Sequence, residues 1–495
     1  MIGFCFVNLI FMKKHTALIL IFIGGYVGLA TQLLVLRQVA NFVGSTAIIT
    51  SIIIGVYLAA MTAGYFFGGR PPKNVECRIK NVELSGYIGN NIAKIVRRNF
   101  LIISGLVFLA ASYSIVRSIF YLMIIAGIYS PIAQTFIFSA LFLSFLPFLS
   151  GYTISLLAQT LHNSKRDYTG VIMGVDTIGS VLGSLITTLI IMAMFGVNYA
   201  VIITVLMSGI GVAIATSSEF RVKNSELMRS LRSFFIFIGI FVLTVGTNST
   251  ERLRQTYGIV SNTAAGTVAV IEDADGRHFV IDSATHSLIR PGGGHAEYID
   301  FVNFFFINTI PPTVTKRILV LGAGGFTLGR HDDRNEYVFV DINRNLKDVS
   351  ERYFLPEPLG DNKRFVVQDA RQYLRVTKDK YDIILMDAFS RWTIPEQLVT
   401  IEFMTEMKSV LSDGGVMIMN VITHPMFADE FSRRIDNSIR TVFPRNLSRH
   451  IATPFNGWSE TGSANVMYIY KNIPNGGRIY DANRNSTIYH KQREF

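Results

Sequence analysis

The chain has 495 residues, 50% of them apolar and 16% charged, with a mean hydropathy of +0.37. Soluble domains carry about 25% charged residues, so this composition excludes a disordered chain, a collagen-like fibre and an ordinary water-soluble enzyme. The only cysteines, Cys5 and Cys77, exclude a disulfide scaffold or a Cys-based zinc site. The net charge of +11 is unevenly placed. Up to Asn248 there are 17 Lys/Arg against 6 Asp/Glu, which leaves 29 of each beyond it. A basic excess confined to apolar runs marks cytoplasmic membrane loops. The neutral second half has no basic stripe, so nucleic acid is not an expected partner.

A spanning helix needs about 20 apolar residues. Seven runs approach that length, near Thr16–Leu36, Ala47–Phe67, Phe100–Met123, Ile132–Leu157, Val171–Phe195, Tyr199–Ala215 and Phe234–Val245. The last is short, and a single signal peptide does not fit seven successive runs. Residues 1–249 therefore read as an all-α polytopic transmembrane bundle. Lys13, Lys14, Arg70, Arg78, Lys94, Arg97, Lys165, Arg166, Arg221 and Arg232 fall in alternate loops, which places the N-terminus in the cytoplasm of an inner-membrane protein. Seven spans put the second half outside; a flat seventh segment keeps it in the cytoplasm.

Gly170, Gly174, Gly179 and Gly183 recur at helical spacing in the fifth run, and Gly24 and Gly28 in the first. They suit close packing within the bundle, or else an interface in a homo-oligomer. Arg37 and Asp176 are charges within or beside spans. They are expected either to neutralise each other as a pair or to mark a path for an ion or substrate.

After Asn248 the texture changes. Residues 250–310 read as a β-hairpin-rich lead-in, with an Asp-Gly turn in "EDADGR" (Glu272–Arg277). Residues 311–472 alternate strands with helices, which implies a Rossmann-like parallel sheet with crossover helices. The strands are Arg317–Leu321, Tyr337–Val340, Phe365–Gln368, Tyr381–Met386, Gly415–Asn420 and Ala464–Tyr470. The helices lie near Asn343–Tyr353, Ala370–Val376, Pro395–Leu411 and Ala428–Thr441. Residues 473–495 form a polar tail.

The first of these strands ends in "VLGAGGFTLG". Gly322, Gly324 and Gly325 allow a tight turn open to a ligand, with a helix N-terminus expected behind it. The second ends at Asp341, nineteen residues after Gly322, where a carboxylate meets the two hydroxyls of a ribose. The third tip carries Asp369 and Ala370, placed for an adenine edge, and the fourth carries Asp387. Ligands of such sheets bind at the carboxyl ends of the strands, so four successive tips imply a nucleoside site. The rival reading makes these aspartates helix N-caps, which suits any one of them better than all three. His286 and His295 flank "RPGGG" without third and fourth ligands, so no metal site is expected.

The order "LVLGAGG…VFVDIN…VVQDARQYL…YDIILMDAFS…IPEQLVTIEFMTEMKSVLSDGGVMIMNV" resembles the spermidine synthase (polyamine aminopropyltransferase) family, a relative of class I methyltransferases. "FVIDSATHSLIR" resembles its N-terminal hairpin region. "GLATQLLVLRQVANFVGST" with "GVYLAAMTAGYFFGGR" resembles the multi-span region fused to such domains. The resemblance implies that Gly322, Gly324 and Gly325 cradle the methionine-derived part of S-adenosylmethionine or decarboxylated S-adenosylmethionine. It implies that Asp341 holds the ribose and that Asp369 and Ala370 hold the adenine. It places Asp387 first in the catalytic loop and implies transfer of an aminopropyl or methyl group to a small-molecule amine acceptor. The chain also departs from the pattern. Ser390 replaces the second catalytic aspartate, followed by Arg391 and Trp392, and the glycine turn carries no acidic residue. His286 and Ser287 stand in place of Gln-Ser. His286 or Asp387 is then the group left to accept a proton. The alternative is a membrane transporter or scaffold with a catalytically inactive sensor domain.

Overall fold

The computed structural model describes residues 14–70, 82–161, 168–219, 224–388, 396–452 and 462–473. Ser390, Arg391 and Trp392, Lys13, Arg78, Lys165, Arg166 and Arg221, and the tail beyond residue 473 lie outside them. The chain divides into two compact units, Met1–Thr267 and Val268–Phe495.

The first unit is helical: α1 (Lys14–Val43), α2 (Ala47–Gly68), α3 (Val82–Ala111), α4 (Tyr113–Ile125), α5 (Pro131–Phe138), α6 (Phe145–Leu161), α7 (Thr169–Leu185), α8 (Val197–Glu219), α9 (Asn224–Asn248) and α10 (Thr250–Tyr257). A wide π turn joins α5 to α6, and another extends α7 to Met192. Among the described residues, six helices are long and apolar enough to cross a membrane, or seven if α3 and α4 count as one bent span. Their outward faces carry large apolar side chains such as Phe66 (71% exposed) and Phe235 (68%). Water does not tolerate a continuous apolar surface of that kind, whereas lipid does.

The boundaries follow local chemistry. Gly44, at φ +81°, ends α1, and the Thr46 side chain then caps α2 by accepting from the Ile49 amide. The third apolar run breaks at Ser112 with a 61° bend, so Arg117 sits on a separate helix and stacks over the Tyr257 ring at 4.8 Å. The seventh segment is longer than its apolar core suggests, with an apolar stretch of Leu231–Asn248.

The expected Arg37–Asp176 pair does not form. Arg37 donates to the Thr263 carbonyl (2.9 Å), to Thr267 Oγ1 (3.2 Å) and to Asn41, whereas Asp176 Oδ2 accepts from the Tyr65 hydroxyl (3.5 Å). Arg37 lies toward the end of α1 beside the first strand, and Asp176 packs against Gly25, three turns earlier. The glycine stripe of α7 divides likewise. Cβ atoms on Gly179 and Gly183 would strike the Phe22 and Tyr26 carbonyls of α1, while Gly170 and Gly174 face open space.

The strands begin with β1 (Ile259–Thr263), β2 (Gly266–Asp273), β3 (Gly276–Ile281) and β4 (Ala284–Ile289), in that spatial order. The division between units falls within β2, beyond the change of composition at Asn248, because Asn41 and Asn262 both accept from Thr267.

The second unit continues with α11 (Glu297–Val302), β5 (Arg317–Leu321), β6 (Glu336–Asp341), α12 (Leu346–Val349), β7 (Lys363–Val367), α13 (Ala370–Val376), β8 (Tyr381–Met386), α14 (Ile401–Ser409), β9 (Leu411–Thr423), α15 (Glu430–Val442), β10 (Leu447–Ile451) and β11 (Ala464–Lys471). These strands form one seven-stranded sheet of order β10-β11-β9-β8-β5-β6-β7. β5 to β9 pair in parallel, and β10 and β11 add an antiparallel edge. β10 had no counterpart in the sequence reading.

One crossover departs from expectation: no helix follows the glycine turn. Residues 322–335 form only turns. Gly329, at φ +61°, lies against the Tyr337 ring, and Phe326 takes φ +60°. Phe326 is fully buried and packs edge-on against Phe339 and Phe365, at 5.1 and 5.3 Å between centroids. One aromatic residue covers the sheet where a helix was expected.

Candidate functional site

In the order β8-β5-β6-β7, the carboxyl ends of four adjacent strands lead to Asp387, Gly322, Asp341 and Asp369. Backbone bonds tie the tips together: the Gly322 amide donates to the Val340 carbonyl (2.9 Å), Asp387 to Leu321 (2.8 Å) and Gln368 to Asp341 (3.0 Å). Gly322, at φ +97°, leaves no room for a side chain, since a Cβ would meet the Asp387 carbonyl.

Asp341 Oδ2 accepts from the Ala323 amide (3.1 Å) and Oδ1 from the Asn343 amide (2.9 Å). Burial pushes its carboxyl upward, opposed by these amides and that of Ile342. A carboxylate has about four lone-pair sites, so each oxygen keeps capacity for a hydroxyl donor. Ile342, next in the chain, is 71% exposed, an apolar surface beside the carboxylate. Asp369 is the N-cap of α13, accepting from the Gln372 amide at 2.9 Å, and Ala370 begins that helix. The capping reading fits Asp369, while its place on the tip row is also as expected.

Asp387 is held on both oxygens. Tyr298 donates its hydroxyl to Oδ2 and Asn420 its amide to Oδ1, each at 2.8 Å. Burial raises its carboxyl to about 6, against the lowering effect of the two donors. The same contact keeps the Tyr298 phenol well above its usual range, with burial the larger cause. Asn420, on β9, is itself oriented by Asn465 Nδ2 (3.0 Å).

β4 supplies the other wall. Ser287 Oγ accepts from the Gly325 amide at 2.9 Å, and Tyr298 also donates to the His286 carbonyl at 3.2 Å. Burial lowers His286 to about 4, offset in part by Asp282, so it is neutral near pH 7. His295 Nδ1 lies 3.0 Å from Asp300 Oδ1, and no metal-binding cluster occurs among the described residues. Ser287 and Tyr298 stand where the resemblance sets the hairpin Gln-Ser and a Tyr-His-Glu stretch, whereas the sequence does not point to Asn420. Nothing in the local spacing of Asn420 singles it out, because only the pairing of β9 with β8 brings it to Asp387.

An open, mostly parallel sheet with glycine and carboxylates at its carboxyl tips is a Rossmann-like α/β domain of the spermidine synthase and methyltransferase type. Residues 306–456 match the spermine/spermidine synthase domain, and the C-terminal part of the chain carries that domain. The polyamine aminopropyltransferase of Vibrio vulnificus (strain CMCP6) is 29% identical over 185 residues, which cover 36% of this chain and 58% of the relative. The probable polyamine aminopropyl transferase of Bifidobacterium longum (strain NCC 2705) is 30% identical over 129 residues, 25% of this chain and 28% of the relative. The chain thus spans less than two thirds of either. The crystal structure of a probable spermidine synthase from Corynebacterium glutamicum aligns with TM-score 0.37 and 19% identity, covering 46% of this chain and 83% of that one.

Proposed function

We propose that the second unit binds an adenosyl-sulfonium donor, S-adenosylmethionine or its decarboxylated form, and passes an aminopropyl or methyl group to an amine acceptor. The first unit holds it in a bilayer. Asp341 would accept the ribose hydroxyls on its remaining lone pairs, with Ile342 beside the base and Asp369 and Ala370 at the adenine edge. Gly322, Gly324 and Gly325 turn the backbone beside the chain on sulfur, packed closely by Asp387, Ser287 and Phe354. The sulfonium supplies an activated carbon. Alignment of the acceptor therefore provides much of the rate.

Asp387 carries the reading. Fixed by Tyr298 and Asn420 and poised at about 6, it takes up the proton that the amine sheds as its lone pair displaces sulfur from carbon. The electron pair of the broken C–S bond stays on sulfur and cancels its charge. His286 is also unprotonated near pH 7, but burial that lowers it to about 4 makes it a weaker acceptor than Asp387.

The test is calorimetric titration of the full chain in lipid nanodiscs with each donor. Saturable binding of one of them, weakened at least tenfold in Asp341→Ala, supports the reading. No heat with either donor overturns it.

One observation favours a second reading, a membrane scaffold with a catalytically silent sensor. The chain leaves the helical unit at the end opposite Lys14 and Arg70; if that basic end faces the cytosol, the exit lies away from the compartment in which such donors are made. Donor binding without any transfer to amines would select it.

A further inference from the structure

We propose that the helical unit contains its own site for an alkylammonium group, built on Asp176 between α1, α2 and α7. This site is independent of the transferase reading. Asp176 Oδ1 is shut off from solvent with no hydrogen-bond partner, and Oδ2 is met only by the Tyr65 hydroxyl at a long 3.5 Å. A carboxylate so placed in lipid is costly unless a proton or a cation compensates it.

The surroundings are shaped around that group. A Cβ on Gly25 would lie 2.8 Å from Asp176 Oδ1, and one on Gly28 would lie 2.7 Å from the Tyr57 hydroxyl. Two glycines one turn apart on α1 therefore leave space for a carboxylate and a buried phenol, Tyr57 being 4% exposed. A cavity of about 280 Å³ is lined by Gly69, Ser155, Gln159, Tyr168, Thr169 and Ile172. Its lining residues Gly69 and Ile172 lie one helical turn from Tyr65 and Asp176 along α2 and α7. Its volume is near the lower end for small-molecule sites, about 300 Å³.

The donor set selects the ligand class. A hard metal ion needs about six oxygen ligands, and one carboxylate with two phenols falls short. An ammonium group needs few acceptors and gains from tyrosine faces, while its alkyl chain suits the Ile172 and Ala158 side of the cavity.

The full chain in nanodiscs is assayed with radiolabelled putrescine, both in the native sequence and with Asp387→Asn to disable the sheet site. Expected is saturable binding that survives Asp387→Asn, falls at least tenfold in Asp176→Asn and falls severalfold in Tyr65→Phe. Carbodiimide modification of Asp176 in the unmutated chain, read by mass spectrometry, should slow severalfold when putrescine is present. Retained binding in Asp176→Asn, no saturable binding in Asp387→Asn, or modification unaffected by putrescine would overturn the proposal. Failure of donor binding at the sheet would leave these outcomes unchanged.

Discussion

At the scale of single residues, Asp387 sets the pH dependence. Its carboxyl is raised to about 6 by burial, so the proton-accepting form is present above that value and lost as pH falls through it. Transfer rate should therefore rise with a midpoint near pH 6, and Asp387→Asn should abolish it, as a pH series with either donor would reveal. The stability sign is the reverse. A raised carboxyl favours the folded state at low pH, and that contribution is lost as pH rises through about 6, so Asp387→Asn should melt higher than the native chain at pH 8 but not at pH 4. Asp369 makes a contrast. It caps α13, so Asp369→Ala should cost about 0.5–2 kcal/mol of stability, seen in a thermal melt. If it also touches adenine, donor affinity falls beyond what the melt explains. The aspartates were legible because each ends a short apolar strand; Ser287 and Tyr298 were reached only through the resemblance and Asn420 not at all, since their partners lie 38, 89 and 33 positions away.

Elements show where local pattern loses to packing. The parallel strands stand near their expected places because runs such as Arg317–Leu321, bounded by glycine or aspartate, have one reading. The helix after Gly325 does not form because Gly329 and Phe326 take left-handed conformations that suit Tyr337 and Phe339. That preference is tertiary and leaves no periodic trace. Phe326→Ala should then destabilise the second unit by about 3–5 kcal/mol, measurable by calorimetry of the full chain, with an unchanged melt showing that Phe326 is not the cover. Within the bundle, Gly179→Leu should disrupt the α1–α7 contact and lower the melting temperature in detergent. Gly174→Leu should not, since its side chain would enter open space. A change of oligomeric state in Gly174→Leu would instead mark that face as a contact between copies.

The whole molecule turns on which end of the bundle the chain leaves. Lys14 stacks over Tyr168 at the start of α7, and Gln159 at the end of α6 bonds the Gly68 carbonyl at the end of α2. Those termini share one end, with Arg70. At the other end, Gln38 of α1 bonds the Ala111 carbonyl of α3, Asn248 of α9 bonds Ser112, and Asn198 at the start of α8 bonds the Asn248 carbonyl. α9 therefore runs the length of the bundle, and α10 with β1 begins at the end away from Lys14. If basic loops stay in the cytoplasm, everything after Asn248 emerges on the opposite side. A reporter active only outside the cytoplasm, fused after Phe495, should then be active, and one fused within 71–81 silent. The reverse pattern would put the sheet beside the cytosolic supply of adenosyl donors. It would then require the bundle to insert against its own charge bias, a cost that removing Lys94, Arg97 and Arg98 would expose as a change in orientation.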